Sequence, residues 1–279
     1  MPAARVALAT LSRVAPALGA EVGWRLWRHV GAPQAVHERD SLVHKWAYRE
    51  VVDAGGREIM TYRWGSGERV ILLVHGWRSR ASRFSALVAA LQSADVTVIA
   101  FDAPANGDSP GRLVTILDYA AAIEVLSLRH GPIDTIVAHS FGVLATFVAV
   151  REGVTVKRIV GISGMANADQ LVDKFCALAG LGARAVRGMR RRIERRTFPE
   201  VVDPWSRFVA ELDPSATHVP VLLVHDTDDA TVDPGQALLI ADAHTGPVHS
   251  VITSGLGHLR ILSDPAVVEE VRRFVVSER

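Results

Sequence analysis

Short apolar runs alternate with helix-like segments along most of this 279-residue chain. The runs 70–74 (VILLV) and 96–101 (VTVIAF) are almost continuously apolar, which is typical of strands buried on both faces. The pattern continues with predicted strands at 133–138, 158–163, 220–225 and 248–253, and helices at 82–92, 116–128, 142–151, 235–244 and 265–276. This alternation predicts an α/β fold with a doubly wound, mostly parallel sheet, whose functional groups lie at the carboxyl ends of the strands.

Three further segments extend this pattern. Residues 49–52 and 58–62, divided by a turn at 54–56, predict a β-hairpin. Residues 164–217 separate two predicted strands by far more than a normal connection needs, and helix-like stretches lie at 167–179 and 183–196. We therefore predict a helical lid insertion at about 164–217, within a single domain that spans residues 41–279.

The first 40 residues predict an N-terminal amphipathic helix. Its apolar stripe recurs at three- and four-residue steps and is interrupted near Pro16. Arginines 5, 13, 25 and 28 are scattered around the helix rather than gathered on one face. We therefore favour packing on the domain over contact with a membrane surface.

The overall composition excludes several classes of protein. With 31 Lys and Arg against 30 Asp and Glu, the net charge of +1 gives no reason to expect a nucleic-acid partner. The single cysteine, Cys176, can form neither an internal disulfide nor a cysteine metal site. No segment reaches the roughly 20 apolar residues of a membrane span, and we expect a cytoplasmic location.

The segment 138–142 (AHSFG) lies directly between a predicted strand and a predicted helix. A serine at such a junction, with glycine two positions later, is typical of a nucleophile elbow. The sharp turn lifts the serine hydroxyl clear of the sheet and requires small neighbours. Gly142 meets that requirement, whereas Ala138 stands where the motif usually has glycine. Ser140 is therefore the candidate nucleophile.

A serine nucleophile needs a base to take its proton and an acid to orient that base. Residues 225–232 (HDTDDATV) place carboxylates after one predicted strand, and residues 254–258 (SGLGH) place His258 after the next. The order of serine, aspartate and histidine, each on the loop that leaves a strand, matches that of an α/β-hydrolase triad.

From about Val70 to its C-terminus the chain resembles the α/β-hydrolase superfamily. The family has a histidine-glycine pair at the acid-bearing strand end and its acid four residues after that histidine. The resemblance implies Asp229 as the triad acid, with its neighbour Asp228 as the alternative or a support, and His258 as the general base. Asp226 replaces the family's glycine.

The resemblance also implies an oxyanion hole made of two backbone N–H groups. His75 and Gly76 directly follow the strand at 70–74, so the donors would be the N–H of Trp77 and that of Phe141. His75 and Gly76 would support the loop. The segment 102–111 resembles the family's next loop, in which Asp102 would cap a turn.

The resemblance predicts a serine hydrolase that cleaves a small-molecule carboxylic ester or related acyl bond. A thioesterase, an amidase, a carbon–carbon bond hydrolase and an acyltransferase use the same residues, and fold does not choose among them. The alternative of another class is a catalytically silent ligand-binding protein. No external cofactor is implied, and no metal site, because the histidines and aspartates at 225–229 and 258 lack metal-ligand spacing.

Seven arginines at 184, 187, 190, 191, 192, 195 and 196 form a basic run in the predicted lid. We expect a solvated helix face, since this is the usual role of such a run. The alternative is that the run attracts an anionic acyl substrate, a phospholipid surface or a thioester carrier.

Overall fold

In the computed structural model, which describes residues 2–92, 94–210 and 218–277, one eight-stranded sheet organises the chain. The strands are β1 (Tyr48–Asp53), β2 (Glu58–Trp64), β3 (Arg69–Val74), β4 (Val96–Asp102), β5 (Ile133–His139), β6 (Val156–Ile162), β7 (Val221–Asp226) and β8 (Val248–Thr253). Their order is β1-β2-β4-β3-β5-β6-β7-β8. The β1–β2 and β2–β4 pairs are antiparallel, and the other neighbours are parallel.

Helices cover both faces of this sheet. They are α1 (Pro2–Val14), α2 (Pro16–Arg28), α3 (Glu38–Lys45), α4 (Ser85–Leu91), α5 (Ile116–His130), α6 (Phe141–Arg151), α7 (Ala168–Ala179), α8 (Ala183–Arg192), α9 (Pro204–Arg207), α10 (Gly235–Ala243), α11 (Gly257–Arg260) and α12 (Pro265–Val276). The predicted fold class, a doubly wound and mostly parallel sheet, is confirmed.

The central strands are apolar at successive positions because each face of the sheet has its own core. Leu72 points into the layer formed with α5 and α6, where Tyr119 and Phe147 are fully buried. Ile71 and Leu73, its neighbours on β3, point into the opposite layer formed with α4 and α12. Residues adjacent in a strand point to opposite faces, so burial of both faces removes the apolar–polar alternation.

The N-terminal segment forms two helices, with the break at Ala15, because Pro16 begins a new helix at its first turn. Helix α2 packs against α8 so closely that a Cβ on Gly188 would lie 2.9 Å from the Cβ of Ala20. Helix α3 spans the expected domain boundary at residue 40. The buried face of α2 is therefore covered by the insertion that follows β6.

That insertion contains α7, α8, a π-helical turn (Ile193–Thr197) and α9, while residues 211–217 lie outside the described ranges. Arg190 binds Asp169 and Asp173 on α7, and Arg192 and Arg196 bind Glu21 on α2. The expectation of a solvated face is wrong for Arg190 and Arg192, whose half-buried side chains join helices, whereas Arg196 is exposed beside Glu21. Within the described ranges, no helix is both long and apolar enough to cross a bilayer.

Candidate active site

Ser140 stands at the turn from β5 into α6 with φ 55° and ψ −121°. A residue with a side chain rarely adopts positive φ, and such strain is concentrated at functional sites. The turn brings α6 against the end of β3, where a Cβ on Gly142 would lie 2.5 Å from the carbonyl oxygen of Val74. Gly142 is therefore required sterically. Ala138 is an ordinary buried strand residue of β5 and accommodates its extra methyl group.

Asp229 and His258 meet at the ends of β7 and β8, with 2.7 Å between Oδ2 and Nδ1. The other carboxylate oxygen accepts hydrogen bonds from the N–H groups of Thr231 and Val232. Burial favours a raised pKa for Asp229, but bonds from His225, His258 and Val232 outweigh it and hold that pKa well below its usual range. An ionised Asp229 must accept the Nδ1 proton of His258, which leaves Nε2 of that ring to act as a base.

Asp226 fixes the loop that carries His258. Its buried carboxylate accepts hydrogen bonds from the Thr253 hydroxyl at 2.7 Å and from the N–H groups of Leu256 and Gly257 at 3.1 and 2.9 Å. Asp228, two residues later, accepts a hydrogen bond from Gly255 N–H at 2.7 Å. Where the family has glycine, this chain therefore has a carboxylate that joins the loop carrying Asp229 to the loop carrying His258. Sequence reasoning missed this role.

His139, next to Ser140, also contacts His258. Its Nε2–H donates to the backbone carbonyl of His258 at 2.9 Å, and the two ring centroids are 4.7 Å apart. Complete burial, reinforced by the neighbouring His258, lowers the pKa of His139 to about 3. His139 is therefore neutral near pH 7 and supports the His258 backbone, as expected for a hydrogen-bonded neighbour rather than a second base.

His75 holds the loop after β3 against the nucleophile elbow. Its Nδ1–H donates to the Gly76 carbonyl at 2.7 Å, and its Nε2 accepts the N–H of Ala103 at 2.9 Å. Burial lowers the pKa of His75, consistent with this neutral tautomer. A Cβ on Gly76 would lie 2.9 Å from the Cβ of Ser140, so only glycine allows this approach.

The two predicted oxyanion donors lie on either side of this contact. Trp77 directly follows Gly76, and Phe141 is the first residue of α6, where an N–H has no acceptor within the helix. Their rings also pack edge to face, with centroids 5.3 Å apart. Both residues line the cavity that Ser140 and His258 line.

This cavity has a volume of about 520 Å³ and lies between the sheet edge and the helices of the insertion. Its apolar lining comes from Trp27 on α2, from Met165, and from Leu171, Phe175 and Leu178 on α7. Trp27 stacks on Trp77 with ring centroids 6.0 Å apart. Sequence reasoning missed these wall residues, because their periodicity shows only that they lie on helices and not which surface they cover.

The cavity wall also contains Arg78 and Lys174, which sequence reasoning did not select.

Within the described residues the Ser140 hydroxyl has no hydrogen-bond partner, and catalytic hydrogen bonds often tighten only when substrate is bound. No group of three His, Cys, Asp or Glu side chains in the described ranges is arranged to hold a metal ion.

Comparisons with known proteins agree with this architecture. A model of the alpha/beta hydrolase family matches residues 71–271. The fold is similar to an esterase from Rhodococcus sp. ECU1013, at 18% identity over 83% of this chain and 98% of that one, with a TM-score of 0.62.

Two further structures share this fold. Alpha/beta hydrolase domain-containing protein 10 from mouse is 21% identical over 82% of this chain and 97% of its own, with a TM-score of 0.62. A thioesterase domain from the curacin biosynthetic pathway is 18% identical over 83% and 99%, with a TM-score of 0.57. No curated protein matched the sequence.

Proposed function

Because the chain belongs to the alpha/beta hydrolase family, we propose that it is a serine hydrolase that cleaves carboxylic esters through an acyl-enzyme on Ser140. The observation that carries this proposal is the 2.7 Å contact between Asp229 and His258, with His258 and Ser140 lining one cavity. The strained backbone of Ser140 supports it, since such a turn presents the hydroxyl to a bound substrate.

In the proposed reaction, Nε2 of His258 takes the Ser140 proton while the serine oxygen attacks the ester carbonyl carbon. The N–H groups of Trp77 and Phe141 stabilise the negative charge on the carbonyl oxygen. As the tetrahedral intermediate collapses, the protonated His258 gives its proton to the leaving alcohol. Water, deprotonated by the same imidazole, then attacks the acyl-enzyme, and the second tetrahedral intermediate releases the acid as His258 returns the proton to the Ser140 oxygen.

Asp229 has an electrostatic role in this scheme. Its carboxylate stays ionised and stabilises the imidazolium that forms in both halves of the reaction. The lowered pKa of Asp229 supports this role because protonation of the carboxylate would remove the acceptor for His258 Nδ1–H. His75, Gly76 and Gly142 act only by holding the loops that carry the reacting groups.

A thioesterase is the second candidate, supported by the similarity in fold to the curacin thioesterase domain. The same nucleophile, base and oxyanion donors serve a thioester, and the leaving group is then a thiol rather than an alcohol. A comparison of butyryl esters with butyryl thioesters distinguishes the two activities.

The test measures hydrolysis of p-nitrophenyl butyrate by the wild type and by Ser140→Ala, His258→Gln and Asp229→Asn. We expect kcat/KM to fall by at least about a hundredfold in each, because these residues act as one unit. Ser79→Ala is the matched control, since Ser79 supplies a second hydroxyl to the same cavity. Equal activity in Ser140→Ala and the wild type would refute the proposal.

A further inference from the structure

We propose that the active-site cavity accepts acyl substrates that carry an anionic group, a carboxylate or a phosphate, bound by Arg78 and Lys174. This inference rests on the proposed function, because it names the substrate class of the same cavity. It starts from two cationic side chains that line the cavity without an ion-pair partner among the described residues.

Arg78 directly follows the proposed oxyanion donor Trp77 and lines the cavity. One of its Nη atoms donates to the carbonyl of His29 at 2.6 Å, which uses one of five guanidinium N–H donors. Partial burial lowers the pKa of Arg78, with no nearby carboxylate to oppose the effect. The group remains charged at neutral pH, so its remaining donors are suited to an anionic ligand.

The backbone at Arg78 supports a functional role. Its φ of 54° lies in the left-handed region that residues with side chains seldom adopt. Glycine would relieve that strain, yet the chain places a long cationic side chain there. Strained positions of this kind are concentrated at ligand sites, where the conformation aims a group at its target.

Lys174 reaches the same cavity from α7. Its ammonium donates to the carbonyls of Ala230 and Thr231, the latter at 2.6 Å, so the described residues accept only two of its three N–H donors. Ala230 and Thr231 follow the triad acid Asp229. Lys174 therefore joins the helical insertion to the catalytic loop and brings its positive charge to the cavity.

The charged side chains that line the cavity are all of one sign. No Asp or Glu is among the described residues that line it, whereas Arg78 and Lys174 both bring a positive charge to it. Arg80 and Arg158, by contrast, are buried beside carboxylates, Arg80 with Asp102 and Asp108, and Arg158 with Asp134. Arg78 is exposed and Lys174 half-buried, so both charges are accessible to a ligand anion, which would complete this site.

The remaining walls define the rest of the ligand. Trp27, Phe141 and Leu171 line both the cavity and a neighbouring apolar pocket of about 30 Å³, whose lining also includes Phe198, Trp205 and Phe208. An aliphatic acyl chain suits this surface. The substrate we infer therefore combines an aliphatic part with an anionic group.

The experiment uses two matched pairs of substrates, which place the anion on different sides of the scissile bond. p-Nitrophenyl hemiglutarate is compared with p-nitrophenyl valerate, and butyryl-coenzyme A with the neutral thioester butyryl-N-acetylcysteamine. We expect kcat/KM to be about tenfold higher for the charged member of at least one pair, consistent with one or two charge-assisted hydrogen bonds. The pair that shows the preference identifies the anion as an acyl-side carboxylate or a leaving-group phosphate.

Variants connect that preference to the two cations. In Arg78→Gln and in Lys174→Gln the charged-to-neutral ratio should fall about fivefold or more, and Arg78→Lys, which keeps the charge, should restore most of it. Added salt should also reduce the wild-type ratio. Lys45→Gln, at an exposed position on α3, is the control for loss of one positive charge.

A ratio near one for both pairs in the wild type would overturn the inference, as would a preference that survives both glutamine variants. In either case the neutral substrates would still be hydrolysed in a Ser140-dependent manner, so the proposed function would stand. If the proposed function itself were wrong, the result would be different: no substrate of either pair would be hydrolysed in a Ser140-dependent manner.

Discussion

Asp226 shows how much one buried side chain contributes to the geometry of this site. Its carboxylate is an acceptor for four donors, of which Thr253, Leu256 and Gly257 belong to the segment leading to His258 and the fourth is Asp228 N–H. Both oxygens of an ionised carboxylate accept hydrogen bonds, so Asp226 can pair with several converging N–H groups. The amide of the same size accepts at one oxygen only and carries an NH₂ donor in place of the other. We regard Asp226 as a positioning residue that acts through His258.

The substitution Asp226→Asn should lower kcat about tenfold and leave KM nearly unchanged. The amide keeps the shape of the carboxylate but turns an NH₂ group toward backbone donors, which shifts the loop that carries the base. Steady-state kinetics on p-nitrophenyl butyrate measures the split. Asp53→Asn is the matched control, because Asp53 also accepts a backbone N–H in a turn, at Gly56, but in the β1–β2 hairpin. An unchanged kcat in Asp226→Asn would contradict the positioning role.

The pKa of His139 predicts how stability depends on pH. This pKa is lowered from about 6.5 to about 3 in the folded protein, so below pH 6.5 the unfolded chain binds a proton that the folded chain does not. The contribution of His139 to stability is therefore complete above pH 6.5 and declines as the pH falls toward 3.

The variant His139→Gln tests this dependence, because glutamine can still donate to the His258 carbonyl but does not titrate. Between pH 7 and pH 5 the wild type should lose about 2 kcal/mol more unfolding free energy than the variant. Urea denaturation at the two pH values gives both differences. Parallel losses in the two proteins would show that His139 takes up a proton in the folded state.

At the scale of secondary-structure elements, the N-terminal helices and the insertion form one layer over the sheet edge. Glycine at 188 lets α8 approach α2, and Glu21 on α2 binds Arg192 and Arg196 on the other side of the contact. Trp27, near the end of α2, then forms a wall of the cavity. The position of α2 therefore affects the substrate site directly.

The substitution Gly188→Val should separate α2 from α8, since its Cβ would overlap the Cβ of Ala20. Overpacking of this kind costs about 1–3 kcal/mol, and the shift of Trp27 should raise KM for a butyryl ester. Thermal denaturation and steady-state kinetics measure the two effects. Arg187→Val is the control, because it places the same side chain at an exposed position of the same helix. Equal stability of the two variants would contradict the close contact.

At the scale of the whole molecule, local pattern was sufficient to predict the sheet. The strands at 70–74 and 96–101 were recognisable because burial on both faces makes them almost continuously apolar, and the AHSFG segment marked the junction where a nucleophile is expected. These features depend on neighbours within a few residues. The confirmed fold class follows from them.

The walls of the cavity could not be predicted in the same way. Trp27 reaches the site only because α2 packs on α8, more than 150 residues later in the chain, and Arg190 and Arg192 looked solvated until their acidic partners on α7 and α2 were placed. The carboxylate at position 226 looked like a departure from a family pattern, because its donors lie on a different loop. Contacts between distant segments decide all three cases.

The central claim is that Ser140 is the nucleophile of this molecule, and covalent labelling tests it most directly. The folded protein is treated with a fluorophosphonate probe, and peptide mass spectrometry locates the adduct. One adduct is expected, on Ser140, that is absent in Ser140→Ala and forms much more slowly in His258→Gln. An unlabelled wild type, or an adduct that persists in Ser140→Ala, would contradict it.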